Sequence, residues 1–426
     1  MVIGLESLDE VGPAGGDPPG SAGTADTASD VAPAMGALGS SRTAPPWLRD
    51  RLLAAAGAVP FRQYMEAALH DPVHGAYGAG RLRIGPRGDF TTSPSLGSSF
   101  ARLLAPQLAD WLLQLGPGPL ALVETGPGEG QLALQLADAL VAGWPELVDR
   151  LELVLVEPNP GMRERQHEFL ATAALPCRWL DWAELAAAPL RGVMLAHEVL
   201  DALAVERIGW DGGQWRQQQV ALHSDGSLEL RWGPPLEPWA LAELRRLGLD
   251  PGPEPLPPGW CTELHPGCGP WLSAAAAALA EGHLLVVDYA LEARRYYAPQ
   301  RSGGTLLAYR DQQASADPLR EPGHWDLTAH LCLESLQFAA AAAGWHWLGS
   351  CRQGQALLAL GLAQALHSLQ SPAAAPDLAT RLAEREAMLR LVDPAGLGEF
   401  RWIALARSPQ SRQEPPPPRF LQEPLP

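Results

Sequence analysis

Residues 120–130 read Leu-Ala-Leu-Val-Glu-Thr-Gly-Pro-Gly-Glu-Gly, and no other stretch so narrows what this chain can fold into. An apolar run of strand length ends on an acid, and three alternating glycines lead into a helical pattern over 131–141. A short uninterrupted apolar run marks a strand buried on both faces, and such strands belong to parallel sheets. The rhythm then repeats. Residues 151–157 predict a second strand, followed by a helix over 161–174; 177–180 predict a third strand, 192–196 a fourth and 283–289 a fifth. Strands alternating with helices predict an α/β fold built on a doubly wound, Rossmann-like sheet. Open sheets of this kind bind ligands beyond the carboxyl ends of their strands.

The rest of the chain dresses this core. Residues 46–115 form an N-terminal segment with helical spacing over 47–56, 61–69 and 96–115, the last opened by Ser93-Pro94. The core runs over 116–208. Residues 209–259 form an inserted region with strand patterns over 210–222 and 228–232 and a Pro-rich loop, and it carries little functional signal. Residues 260–408 complete the domain with helices over 271–280, 334–343 and 378–391 and two final strands over 355–362 and 400–406. Residues 1–45 and 409–426 are rich in Gly, Ala, Pro and polar residues and are expected to be disordered tails.

Hydrophobic residues make up 46% of the 426 residues, enough for a sizeable core. Basic residues number 31 against 48 acidic ones, a net charge of −17, which argues against a nucleic-acid partner held by a basic face. No apolar run is long enough for a membrane span. Five cysteines, an odd number without a Cys-x-x-Cys pair, fit a reducing compartment better than disulfides or zinc. Six acids precede the first Arg, Arg42, unlike a transit peptide. A cytoplasmic location of bacterial type is expected.

Five groups of residues can carry chemistry. Glu124, Gly126, Gly128 and Gly130 form a Gly-x-Gly-x-Gly turn where the first strand meets its helix. A dinucleotide fingerprint would place its last glycine at 131, which is Gln. The spacing suits S-adenosylmethionine (SAM), which has no pyrophosphate to cradle; a ligand-free turn is the bland reading. Glu157, closing the second strand, can accept both hydroxyls of a ribose, or cap a helix. Asp181, after the third strand, can accept from an adenine amino group, or serve as a plain N-cap. Glu198 and Asp201 follow the fourth strand in His-Glu-Val-Leu-Asp and can hold a cationic substrate, or bond the backbone. The second His of a zinc motif is missing there, so no metal is expected. Last, 303–309 and 326–330 form a polar loop that is either catalytic or structural.

Together these segments resemble the MidA-like (DUF185) methyltransferases, whose mitochondrial members are complex I assembly arginine methyltransferases. The resemblance rests on Asp71-Pro-x-x-Gly-x-Tyr77, Gly88-Asp-Phe-Thr-Thr-Ser-Pro94, Glu124-x-Gly-Pro-Gly-x-Gly130, Glu198-x-x-Asp-Ala-Leu203, Asp288-Tyr289, Gly304-Thr-Leu-x-Ala-Tyr309, Asp326-Leu-Thr-Ala-His330 and Gly396-Leu-Gly-Glu-Phe400. It implies a SAM-dependent methyltransferase with helical segments covering its site, acting on a protein arginine. It implies that Gly126, Gly128 and Glu157 bind the cofactor. Thr91, Thr92 and Pro94 would lie beside it, and Glu198 and Asp201 beside the substrate as the catalytic pair. The family pattern has Glu, Asn, Pro, Gly and Arg where this chain has Ser95, His197, Ala204, Ala290 and Leu307. Three other readings stay open: a nicotinamide oxidoreductase, an assembly factor that has lost catalysis, and a small-molecule methyltransferase.

Overall fold

The computed structural model describes residues 42–85, 88–250, 252, 255–370, 377–408 and 416–423. Its centre is a seven-stranded sheet. In chain order the strands are β1 (Leu120–Thr125), β2 (Leu151–Val156), β3 (Cys177–Trp179), β4 (Leu190–His197), β5 (Leu279–Asp288), β6 (His346–Arg352) and β7 (Arg401–Arg407). They lie side by side as β3-β2-β1-β4-β5-β7-β6. The first five run parallel, and β7 is antiparallel to both β5 and β6. The order reverses between β1 and β4, so a crevice opens beyond their carboxyl ends.

Local sequence explains these elements. All six residues of β1 are buried, as a central parallel strand requires. Helix Gln131–Gly143 buries Leu132, Leu136 and Leu140, one stripe at helical spacing, against the sheet. The other sheet face packs against helices Cys268–Ala278 and Leu333–Ala342.

Two expected strands are corrected. Residues 355–362 are helical, in Gln353–Ala359 and Leu362–Ser368, and the strand is β6, a few residues earlier. Gln353, Ala356 and Leu357 are the buried positions, an i, i+3, i+4 set that only a helix presents to one side. The strand expected over 210–222 breaks into Glu206–Trp210 and Trp215–Leu222, with Asp211 Oδ1 accepting from the amides of Gly213 and Gln214 in the turn.

The inserted region is not an appendage. Its strands Trp215–Leu222 and Leu228–Pro235 join Glu206–Trp210, Cys261–Leu264 and the N-terminal strand Ala58–Pro60 in a second, antiparallel sheet. A small third sheet places Leu307–Arg310 between Gln313–Ser315 and Asp326–Thr328.

Residues 1–41, most of the expected N-terminal tail, lie outside the described residues, but order begins before residue 46. The Ala44 amide bonds Gly226 O, and Arg42 pairs with Asp317 at 2.8 Å. The expected C-terminal tail is likewise corrected over 416–423. Phe420 is buried against Trp111 and Trp402, which outweighs the entropy of holding a Pro-rich segment. Phe420→Ala is expected to cost about 3–5 kcal/mol in denaturant unfolding. No helix among the described residues is long and apolar enough to cross a membrane.

Candidate active site

The turn after β1 is bent by glycine. Gly126, Gly128 and Gly130 have φ of +58°, +54° and +87°, a region that other residues enter only with strain. Gly128 is also crowded: a Cβ there would sit 2.6 Å from Ile84 Cδ1, so the N-terminal segment lies directly over the turn. Thr125 Oγ1 donates to Leu195 O at 3.1 Å and ties the turn to β4. Glu124 is buried, which pushes its carboxyl up to about 8 while the Ala133 amide pulls it back. Its Oε2 has no hydrogen-bond partner among the described residues. A buried, unpartnered acceptor beside a glycine-rich turn is a candidate ligand contact.

Glu157 follows β2. Its Oε1 accepts from the Asn159 amide at 2.8 Å and its Oε2 from Gln166 Nε2 at 3.3 Å. A carboxylate has about four acceptor positions, so two contacts leave capacity for a diol. Burial raises its affinity for protons, and the Asn159 and Gln166 bonds oppose that. Gln166 was not singled out from the sequence. It is fully buried, its Nε2 also donates to Gly128 O at 2.7 Å, and its Oε1 accepts from Trp179 Nε1 at 2.9 Å. One side chain thus locks the ends of β1, β2 and β3 together. Asn159 caps the next helix and donates to the carbonyls of Tyr77 and Gly78, bringing in the N-terminal segment.

Asp181 is exposed after β3 and takes the N-cap: its Oδ1 accepts from the Glu184 amide and Glu184 Oε2 from its own, both at 2.8 Å. The 88–94 segment packs near the glycine turn, with Gln135 Nε2 donating to Pro94 O at 3.2 Å. Thr92 caps the short turn Ser93–Leu96 in a reciprocal pair with Ser95, and Thr91 Oγ1 donates to Gln312 Oε1 at 3.2 Å.

The second half of the site gathers acids. Glu198, just past β4, holds a φ of +53°, which a non-glycine residue adopts only under constraint. Its side chain is 11% exposed. Asp201 and Asp326 are buried nearby, and Asp288 closes β5 behind them. Asp288 is spoken for: its Oδ2 accepts from the amides of Leu200 and Asp201 at 3.0 and 3.2 Å, and its Oδ1 from Tyr289 at 2.8 Å. It shapes the loop that carries Glu198 and Asp201. Asp326 accepts a hydrogen bond from the Tyr77 hydroxyl, and its Oδ1 has no partner among the described residues. Tyr289 and Tyr309 face the same carboxylates.

Burial, then mutual repulsion, sets the proton affinity of this cluster. Glu198 is held well above the usual carboxylate range by burial and then by Asp201, Asp288 and Asp326. Asp326 is pushed up to about 8 by burial and then by Asp201, with the Tyr77 bond opposing. Asp201 is raised by burial, against two backbone amides. Among the described residues the only basic group beside Glu198 is His197, at 3.4 Å, and burial depresses that imidazole to about 4, so it is neutral.

Residues 103–351 match the family model described as "putative S-adenosyl-L-methionine-dependent methyltransferase". The chain belongs to this methyltransferase family. A crystal structure of a protein from Burkholderia thailandensis, bound to S-adenosyl-homocysteine, is 30% identical, covers 85% of this chain and 91% of its own, and superposes with a TM-score of 0.75. The mitochondrial protein arginine methyltransferase NDUFAF7 homolog of Drosophila melanogaster is 28% identical over 388 residues, 84% of this chain and 83% of its own length. The rat protein arginine methyltransferase NDUFAF7 is 26% identical over 376 residues, 82% and 81%.

As a SAM-dependent methyltransferase, the chain brings together Glu124, the glycines and Glu157 at one end of the crevice, and Glu198 and Asp201 at the other. Asp181, after β3, caps the next helix through Oδ1. Tyr77 and Asp326 lay within motifs that the sequence displays, but nothing local announced that they would meet. Two departures from the family pattern have local explanations. Ser95 completes the Thr92 cap, and His197 packs edge-on to Phe100 with ring centroids 5.4 Å apart.

Proposed function

We propose that this methyltransferase methylates an arginine side chain of a protein. The observation that carries the proposal is the group of Glu198, Asp201 and Asp326, walled by Tyr77, Tyr289 and Tyr309, without a charged basic partner among the described residues. Buried carboxylates are costly without a cation, and a guanidinium is a cation of matching, forked geometry. Aromatic walls favour the same guest. The arginine methyltransferase names of the relatives support it.

Bound SAM supplies a methyl group activated on a sulfonium. In the proposal the glycine turn and Glu124 hold its amino-acid end, Glu157 its ribose, and the 91–94 segment and Asp181 border it. The acceptor guanidinium, with a pKa of roughly 13.8, is a poor nucleophile while protonated. Glu198 and Asp201 orient it and draw positive charge toward the nitrogens they touch, leaving the methyl-accepting nitrogen richer in electrons. That nitrogen gains a methyl and loses a proton, which one of the two carboxylates accepts. The Tyr77, Phe90 and Ile84 segment over the crevice excludes water.

Titration calorimetry tests the cofactor half. SAM is expected to bind and NADH not to, and Glu157→Ala should weaken SAM by roughly ten- to a hundredfold. For the acceptor half, methyl-labelled SAM is incubated with a cell proteome and the labelled protein hydrolysed. Methylarginine is expected; label in another residue or only in small molecules would overturn the arginine assignment. Cytoplasmic residence belongs to the same proposal. The free thiols Cys177, Cys261, Cys268, Cys332 and Cys351 support a reducing compartment, and fractionation tests it against the mitochondrial names of the relatives.

A further inference from the structure

One buried carboxylate lies outside the crevice and has no part in the chemistry above. Glu263, on strand Cys261–Leu264 of the second sheet, is fully buried. Its Oε2 accepts from the Thr305 amide at 2.9 Å and from the Tyr296 hydroxyl at 3.1 Å, and Thr305 Oγ1 lies 3.3 Å away. Its Oε1 sits 3.8 Å from Arg207 Nε, and Arg207 Nη2 donates to Gly303 O at 3.2 Å. Gly304 has a φ of +77°, and a Cβ there would overlap the Glu263 carboxylate. An apolar residue would fill this position at less cost, since removing a carboxylate from water is expensive even when paired. The clamp therefore calls for a reason beyond packing.

What it clamps supplies one. Thr305 stands just before strand Leu307–Arg310, and His330 just after strand Asp326–Thr328. The His330 amide donates to Thr305 Oγ1 at 3.0 Å, so the hydroxyl held at Glu263 ties the two strand ends together. Within the pair, Tyr309 lies opposite Asp326. Residues directly opposite on antiparallel strands share a face. Here that face is the acid cluster: Tyr309 interacts with Asp201, Asp326 and Glu198, and Asp326 with Asp201 and Tyr77.

We infer that Glu263 and Thr305 are positioning residues for the methyl-acceptor site, holding the Tyr309–Asp326 pair against Glu198 and Asp201 from a sheet that touches neither cofactor nor acceptor. The inference rests on the acceptor reading given above. It makes the second sheet part of the acceptor machinery. A shift of about 1 Å in such a pair is enough to lower turnover by roughly a hundredfold.

The test uses the full chain saturated with S-adenosyl-homocysteine, with N-acetyl-L-arginine methylamide as the guanidinium probe. Thr305→Val removes the hydroxyl and keeps the volume, Thr305→Ser restores it, and Glu263→Gln keeps shape without charge. Thr305→Val is expected to weaken the probe about tenfold with S-adenosyl-homocysteine affinity unchanged, and Thr305→Ser to recover wild-type binding. Crystals of Thr305→Val should show Tyr309 and Asp326 displaced and the glycine turn unmoved. Failure of the wild type to bind the probe sinks the arginine reading, while a displaced pair still supports the positioning role. An unmoved pair, or unaltered probe affinity in both Thr305→Val and Glu263→Gln beside a wild type that binds, overturns the positioning role.

Discussion

Glu198→Gln and Asp201→Asn are each expected to slow methyl transfer by about 10²–10³-fold while leaving SAM affinity within about twofold. Both substitutions keep shape and remove charge. In the proposal the SAM end of the crevice is built by other residues, among them the glycine turn, Glu157 and Gln166, so cofactor affinity is a control within each variant. The backbone scaffold is also preserved. Asp288 bonds the Leu200 and Asp201 amides, and the Asp201 carbonyl receives the Ala329 amide, none of which a side-chain amide disturbs. A second readout separates lost chemistry from lost fold. The cluster repels itself, so removing one carboxylate at pH 8 should raise the thermal midpoint, not lower it. Slow variants that are also less stable would point to a structural role for these acids. Variants with wild-type turnover would refute the catalytic assignment.

Acceptor binding is expected to release protons and to tighten as pH rises. Asp326 titrates near 8, and Glu198, Asp201 and Asp288 are all raised, with burial the leading cause throughout. Unfolded Asp and Glu titrate near about 4. Between that value and about 8 the empty folded protein therefore carries protons that the unfolded chain has lost. Stability rises with pH only where the unfolded state binds more protons; here the folded state does, so these groups make the empty protein less stable as pH climbs from about 5 to 8. A guanidinium guest reverses the balance by supplying the missing cation. Its affinity should rise by roughly tenfold per pH unit for each proton displaced, up to at least about pH 8. The neighbouring imidazole of His197, depressed to about 4 by burial, is neutral across this window and exchanges no proton on acceptor binding. Calorimetry in buffers of different ionisation enthalpy counts the protons directly. A binding enthalpy independent of buffer, with a flat pH profile, would mean that the cluster is already ionised and that the proposed guest does not neutralise it.

The cofactor end of this protein was legible because it is local. Residues 120–130 carry their own strand, turn and helix start, and the glycine spacing with Glu157 states what kind of ligand the crevice can take. Each depends on sequence neighbours: an apolar run long enough for one strand, and glycines where the backbone must turn left-handed. The same local logic misread residues 355–362, where an apolar run of strand length is a helix whose face is chosen by what it packs on, including Ser93 and Trp402 around Gln353.

The acceptor end was not legible in the same way. Glu198 and Asp201 could be named because they follow a strand of the core, yet Tyr77, Asp288, Tyr309 and Asp326 reach them from four separate stretches of chain. The second sheet, to which the inserted region adds two strands without a motif of its own, carries Glu263, which in the inference holds one wall. Periodicity and glycine placement act over a few residues, and they were enough for the parallel core and its glycine turn. That distant carboxylates share one buried space comes from the folding of remote segments onto one another, and their proton affinities and need for a cation arise from that proximity.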